Sequence, residues 1–251
     1  MHLRKALSLG IAAGILAAVT ILPASAQVLE IMVTDNLGHS LTVADGGAGD
    51  SNPNANAVSI DSALLAAFPN LVQPPLGTSN VTASFSQPGG NQSRLTTTGD
   101  LFGNAAATFT INSSINGVII PNGLVRMFND TNTVSFNSSP GTSGTDRDGV
   151  HTGNVLHGQN ISDTPFTYNS TGALPNSGAG MGPGFVFLNT GAFAITSITT
   201  IGVINQGESQ YTTNSIIQAA AVPEPGAMAM FAGLGVTGSL FAVRRLRRSR
   251  K

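Results

Sequence analysis

Two carboxylates stand two residues apart in the run Gly144-Thr145-Asp146-Arg147-Asp148-Gly149. Alternating acids between glycines supply the oxygen ligands with which a chain wraps a hard divalent cation such as Ca²⁺. The spacing is not that of an EF-hand. A loop whose sharp-turn glycine is Gly149 needs an acid at position 144 and a Glu at 155, and the chain has Gly144 and Val155 there. Two readings stay open: a looser surface Ca²⁺ site built on Asp146 and Asp148, or an ordinary solvated turn. The run Asp45-Gly46-Gly47-Ala48-Gly49-Asp50 admits the same pair.

His151 and His157 follow the acidic run, six residues apart. A His/Asp metal site is chemically permissible there, but two histidines on a polar stretch more often serve as plain loop residues. Gly141-Thr142-Ser143-Gly144 lacks the last glycine of a nucleophile elbow and its strand-to-helix setting. The run Gly178 to Gly184 is glycine-rich like a phosphate loop, yet no Lys follows and no helix pattern begins, so a flexible loop is expected. As a hydrolase pair Asp146 and Asp148 need not face one site when they lie on a turn. The reading is therefore a non-enzymatic protein with no resident cofactor, Ca²⁺ being the one ion its acids would take.

The elements that must position these groups are strands. Val28 to Val33, a turn at Asn36 to Gly38 and then Leu41 to Val43 read as a hairpin. Short alternating segments recur at Val81-Ala83-Phe85, Ala107-Phe109-Ile111, Val134-Phe136, Phe166-Tyr168 and Phe185-Phe187. FTINSS (109 to 114), VSFNSS (134 to 139) and FTYNST (166 to 171) each place two alternating apolar residues before a polar triplet that reads as a turn. Their unequal spacing excludes a solenoid. Only residues 61 to 68 look helical, with Asp61 as N-cap and Pro69 as stop. The expected fold is all-β, an antiparallel β-sandwich of jelly-roll type.

Whole-chain composition averages unlike regions. Between Gln27 and Val222 stand three basic side chains, Arg94, Arg126 and Arg147, against eleven carboxylates, a net charge near −8 although the full chain carries only −1. Such a body repels phosphate backbones, so nucleic acid is not an expected partner. Neutral sugars and divalent cations are compatible with it. The chain has no cysteine, which excludes thiol catalysis and Cys-ligated metals and leaves stability to a packed core.

The termini carry the addresses. Residues 1–26 hold a basic start (Arg4, Lys5), an apolar stretch and the small residues Ala24 and Ala26 in the A-x-A spacing that signal peptidase cuts. Export of residues 27–221 across a membrane follows. At the other end Pro223-Glu224-Pro225 precedes an uncharged apolar run, residues 226–243, about 27 Å long as a helix and so matched to one hydrocarbon core. Arg244, Arg245, Arg247 and Arg248 open the basic tail, 244–251, which sets the inside of a transmembrane helix.

Pro-Glu-Pro, spanning segment and arginine cluster in that order closely resemble the PEP-CTERM sorting signal of Gram-negative bacteria, over residues 222–251. The resemblance implies recognition by an exosortase, a membrane protease acting near Pro223, Glu224 and Pro225. It implies export across the inner membrane, transient anchoring, and release to a cell surface, matrix or biofilm rich in exopolysaccharide. It transfers no biochemical activity to the body. A surface or matrix protein is thus the first expectation, and a lectin-like, glycan-binding module, Ca²⁺-dependent or not, is the alternative.

Overall fold

A computed structural model describes residues 26–71, 78–88, 92–103, 106–137, 143–162, 165–169, 176–180, 184–202 and 209–221. Ala26 lies at its exposed beginning. Ala24, Pro223, Glu224, Pro225, the 226–243 run and Arg244, Arg245, Arg247 and Arg248 lie outside the described residues. Among the described residues no helix is long and apolar enough to cross a membrane.

The strands are β1 (Leu29–Asp35), β2 (Ser40–Ala44), β3 (Ala57–Ile60), β4 (Asn80–Ser86), β5 (Gln92–Gly103), β6 (Phe109–Val118) and β7 (Gly123–Asn137). They continue with β8 (Ser143–His151), β9 (Ile161–Ser162), β10 (Phe166–Asn169), β11 (Asn176–Gly180), β12 (Phe185–Asn189), β13 (Phe193–Gly202) and β14 (Ser209–Ala221). One sheet, the first, runs β10-β8-β13-β6-β1-β2 with β9 beside β8. The second runs β11-β7-β14-β5-β4-β3 with β12 beside β7. Every pairing is antiparallel.

Strands β13 and β14 insert late. β13 lies between β6 and β8, and β14 between β5 and β7, the interleaving of a jelly roll. The all-β, antiparallel expectation is met, and both sheets contribute to one apolar core. Period-2 alternation explains it: along β5 inward residues are buried and outward ones half-exposed almost throughout. Leu29, Ile31 and Val33 of β1 face Val58, Ile60, Leu95 and Leu101 of the second sheet within a single cluster.

The helical stretch is shorter than its pattern. Helix α1 spans only Ser62–Leu65, capped by Asp61, whose Oδ1 accepts from the N–H groups of Ala63 and Leu64 at 3.1 Å each. Its turn delivers Leu65 and Phe68 to the core, where Phe68 meets Phe109 edge-on at 6.0 Å between ring centres.

Three expected turns and loops are strand. The 144–149 run lies within β8, and Asn112-Ser113-Ser114 lies in the middle of β6. Residues 178–180, the first part of the expected glycine loop, lie in β11, which pairs with β7. In each case a neighbouring strand supplies the backbone partners, and tertiary pairing outweighs weak β-propensity of Gly, Asp and Asn.

Candidate functional site

The outward face of the first sheet is laid out by its register in cross-strand rows. Thr200 of β13 stands between Thr145 of β8 and Thr110 of β6, and Thr110 stands opposite Thr34 of β1. Four threonines thus cross four adjacent strands in one line, about 4.8 Å apart. All four are half-exposed, and the Thr110 and Thr200 hydroxyls lie 3.2 Å from each other. The next row runs Arg147, Ile198, Asn112 and Met32. A third runs Gly149, Thr196, Ser114 and Glu30.

A strap, residues 152–160, lies over that third row. It leaves β8 at His151, returns to it as β9, and on the way reaches across β13 and β6 to β1. Asn154 Oδ1 accepts from Gly117 N at 2.6 Å, His157 N donates to Ser114 Oγ at 3.0 Å, and Thr196 Oγ1 donates to Gly158 O at 3.1 Å. Gln159 Nε2 donates to Thr196 O at 3.1 Å, and Arg147 Nε donates to Gln159 Oε1 at 2.8 Å.

The His157 ring closes the cluster, with Nδ1 3.0 Å from Asn112 Oδ1 and Nε2 3.2 Å from Glu30 Oε2. Burial pushes the imidazole below the usual histidine range, against the opposing pull of the Glu30 hydrogen bond and charge. The backbone at Asn154 and His157 is left-handed, φ 60° and 57°, a conformation that costs about 1 kcal/mol or more and persists because these bonds over-determine it. Gly149 makes room below: a Cβ there would sit 2.7 Å from Ile161 O and 2.8 Å from Gln159 Cδ.

The two histidines therefore part company. His157 is half-buried in a polar cluster, not a plain loop residue. His151 ends β8, and its Nδ1 accepts from Gly153 N at 3.1 Å, closing a turn.

Asp146 and Asp148 are a correction. They occupy inward positions of β8, 2 % and 3 % exposed, between the sheets, so they form neither a surface Ca²⁺ loop nor a solvated turn. Alternation along a strand puts residues two apart on one face, here the interior. Thr199 Oγ1 donates to Asp146 Oδ1 at 2.6 Å, and Ser197 stands opposite Asp148. No polymeric substrate reaches carboxylates so placed.

The 45–50 run is a turn, and its acids serve the backbone. Asp50 accepts from the N–H groups of Gly46, Asn52 and Ser59, and Asp45 from that of Asn56 at 2.7 Å. Burial pushes the Asp50 carboxyl up, but the three N–H donors outweigh it and hold the pKa below the ordinary 3.8. Among the described residues no group of three or more His, Asp or Glu side chains is arranged to hold a metal.

Sequence reasoning missed Glu30, Asn112, Ser114 and Thr196. Glu30 carried one signal, a charge inside the apolar run from Val28 to Val33.

Neither protein-family models nor curated proteins match the chain. Among solved structures, TmCBM61 in complex with β-1,4-galactotriose superposes at 8 % identity and a TM-score of 0.26, covering 55 % of this chain and 88 % of that one. A carbohydrate-binding module of the β-sandwich superfamily, from a study of promiscuous specificity, gives 12 % identity and 0.30, covering 74 % and 70 %. An infectious bursal disease virus structure gives 10 % and 0.11, covering 86 % and 73 %. Superpositions this loose carry no argument about ligand.

Proposed function

We propose that the body, residues 27–221, is a non-catalytic module that holds a neutral polysaccharide on the outward face of the first sheet. The observation that carries this reading is the line Thr145, Thr200, Thr110 and Thr34. Hydroxyls both donate and accept, as sugar hydroxyls do, and a line of them on a rigid sheet offers repeated contacts to a repeating chain. Arg147 in the adjoining row is exposed and adds a fixed donor fork. With no Trp and two Tyr in the chain, affinity rests on many weak polar contacts rather than on ring stacking. The acidic body favours a neutral glycan over an anionic one.

The inward burial of Asp146 and Asp148 supports binding rather than hydrolysis, because it removes the carboxylate pair from any bound chain. In the same proposal the protein is exported, cut by signal peptidase after Ala26 and held by the 226–243 segment. An exosortase then processes it near Pro223, Glu224 and Pro225, and it joins an extracellular, exopolysaccharide-rich matrix. Ca²⁺ is not part of the reading.

Affinity electrophoresis of the full chain through gels containing neutral or anionic polysaccharides tests it. Retardation by a neutral polymer that the Thr110→Val, Thr200→Val double variant loses, with unfolding unchanged, is the expected result. Equal retardation of variant and parent would sink the assignment of this face. The mass of the mature C-terminal peptide tests the sorting half separately, since a retained arginine tail would end it.

A further inference from the structure

The exposed apolar side chains are concentrated at one end of the sandwich. Six large ones are strongly exposed among the described residues: Leu37, Ile119, Leu124, Val155, Val186 and Leu188. Leu37 alone lies in the β1–β2 turn, the far end. Ile119 lies in the β6–β7 crossing. Leu188 of β12 stands opposite Leu124 of β7, beside the first residues of that strand. Val155 lies in the strap, next to Asn154, which binds Gly117 near the end of β6.

Both chain ends leave from this same end. Gln27 Nε2 donates to Gly117 O at 3.3 Å, and β14 closes with Ala221 opposite Val125, next to Leu124. From Ala221 only residues 222–225 intervene before the apolar 226–243 run. Five extended steps reach at most about 18 Å. A span anchored at residue 226 therefore holds this end at the headgroup layer, whatever the stiffness of the two prolines.

Charge agrees. Of the three basic residues of the body, Arg126 stands opposite Val186 on the outward face of the second sheet, and Arg94 stands opposite Gln218 of β14 near the same end. In a body of net charge near −8, Arg126 is the group within the apolar patch that an anionic lipid surface would attract.

We infer that Leu124, Val186 and Leu188, with Arg126, form a lipid-docking face that seats the body against an anionic phospholipid bilayer while the 226–243 segment is in place. The inference rests on the spanning reading given above. Its consequence is orientation: the far end, with the threonine line nearer to it, points away from the membrane.

The cysteine-free chain allows single thiols to be introduced at Val186→Cys, Leu188→Cys, Leu37→Cys and Val236→Cys. Each is coupled to an environment-sensitive fluorophore, and the full chain is reconstituted in phosphatidylethanolamine–phosphatidylglycerol vesicles. The expected result is a blue shift and quenching by headgroup-level spin-labelled lipid at 186 and 188, none at 37, and quenching by deep-chain probes at 236. Labels at 186 and 188 that behave like the one at 37, while 236 stays deep, overturn the docking face and leave the span standing. Labels shielded without lipid quenching show a second copy of the chain on the patch and also overturn it. A label at 236 that remains in water ends the spanning reading, and the docking face with it.

Discussion

His157 Nε2 lies 3.2 Å from Glu30 Oε2 across a sequence separation of 127 residues. The contact joins the strap to the first strand of the sheet it covers. Because Asn112 holds the other ring nitrogen, one imidazole bridges β1 and β6, and the strap fixes the border of the open threonine face. Rigidity there matters for a surface whose affinity comes from many weak contacts, since each loose donor adds an entropic cost to binding.

Removing the bridge should loosen the strap. His157→Ala leaves the buried Asn112 and half-buried Glu30 groups without this ring, and a loss of about 1–3 kcal/mol in unfolding free energy is expected by urea denaturation. Glu30→Gln keeps a hydrogen-bonding group and should cost less.

The same ring sets a pH dependence. Its folded pKa lies below the ordinary 6.5, so between the two values the unfolded chain binds the extra proton and the folded one does not. Stability contributed here is present above about pH 6.5 and falls as pH drops through that window. Melting temperature measured from pH 7.5 to 5 should show a decline that His157→Asn flattens.

Asp50 should matter to folding and not to metal. Both of its oxygens already accept backbone N–H groups, as a capping carboxylate does. Asp50→Ala should cost about 1–2 kcal/mol, read as a lower melting temperature. Chelation with EDTA should leave the melting temperature of the parent protein unchanged. A melting temperature that drops on chelation would restore the cation reading for this turn.

The fold was legible where alternation is strong. Leu29-Ile31-Val33, Val81-Ala83-Phe85 and Phe109-Ile111 carry their burial in their period, and Asp61 announces its cap. The polar rows were not legible, because strand β6 continues through Asn112, Ser113 and Ser114, residue types that locally favour turns. What holds them in a strand is pairing with β1 and β13, which are remote in sequence. The acids of β8 misled for the same reason: Gly144 and Gly149 resemble turn residues, but Gly149 is there so that the strap can lie close. The site depends on register, and register cannot be read from one strand alone.

Inside the sandwich, Thr199→Val removes the hydroxyl that donates to Asp146 at 2.6 Å. The shape is nearly kept and a hydrogen bond to a carboxyl at 2 % exposure is lost, so about 1–3 kcal/mol of destabilisation is expected in chemical unfolding. A neutral result would mean that the other contacts of Asp146 suffice for it.

Gly149→Ala separates the strap from the face beside it. The added methyl carbon would lie 2.7 Å from the carbonyl oxygen of Ile161 and 2.8 Å from Gln159 Cδ. The first neighbour is backbone and cannot swing aside, so the strap must lift. Lifting it exposes His157 to water and removes the burial that depresses its pKa, while the threonine line, which lies two rows away across the sheet, keeps its register. NMR titration of the imidazole should therefore move toward the ordinary 6.5 in Gly149→Ala, together with a loss of stability of about 1–3 kcal/mol. Retardation by neutral polysaccharide should persist. If retardation disappears while Thr110→Val, Thr200→Val still binds, the strap itself is the contact surface and the assignment moves from the threonines to residues 152–160.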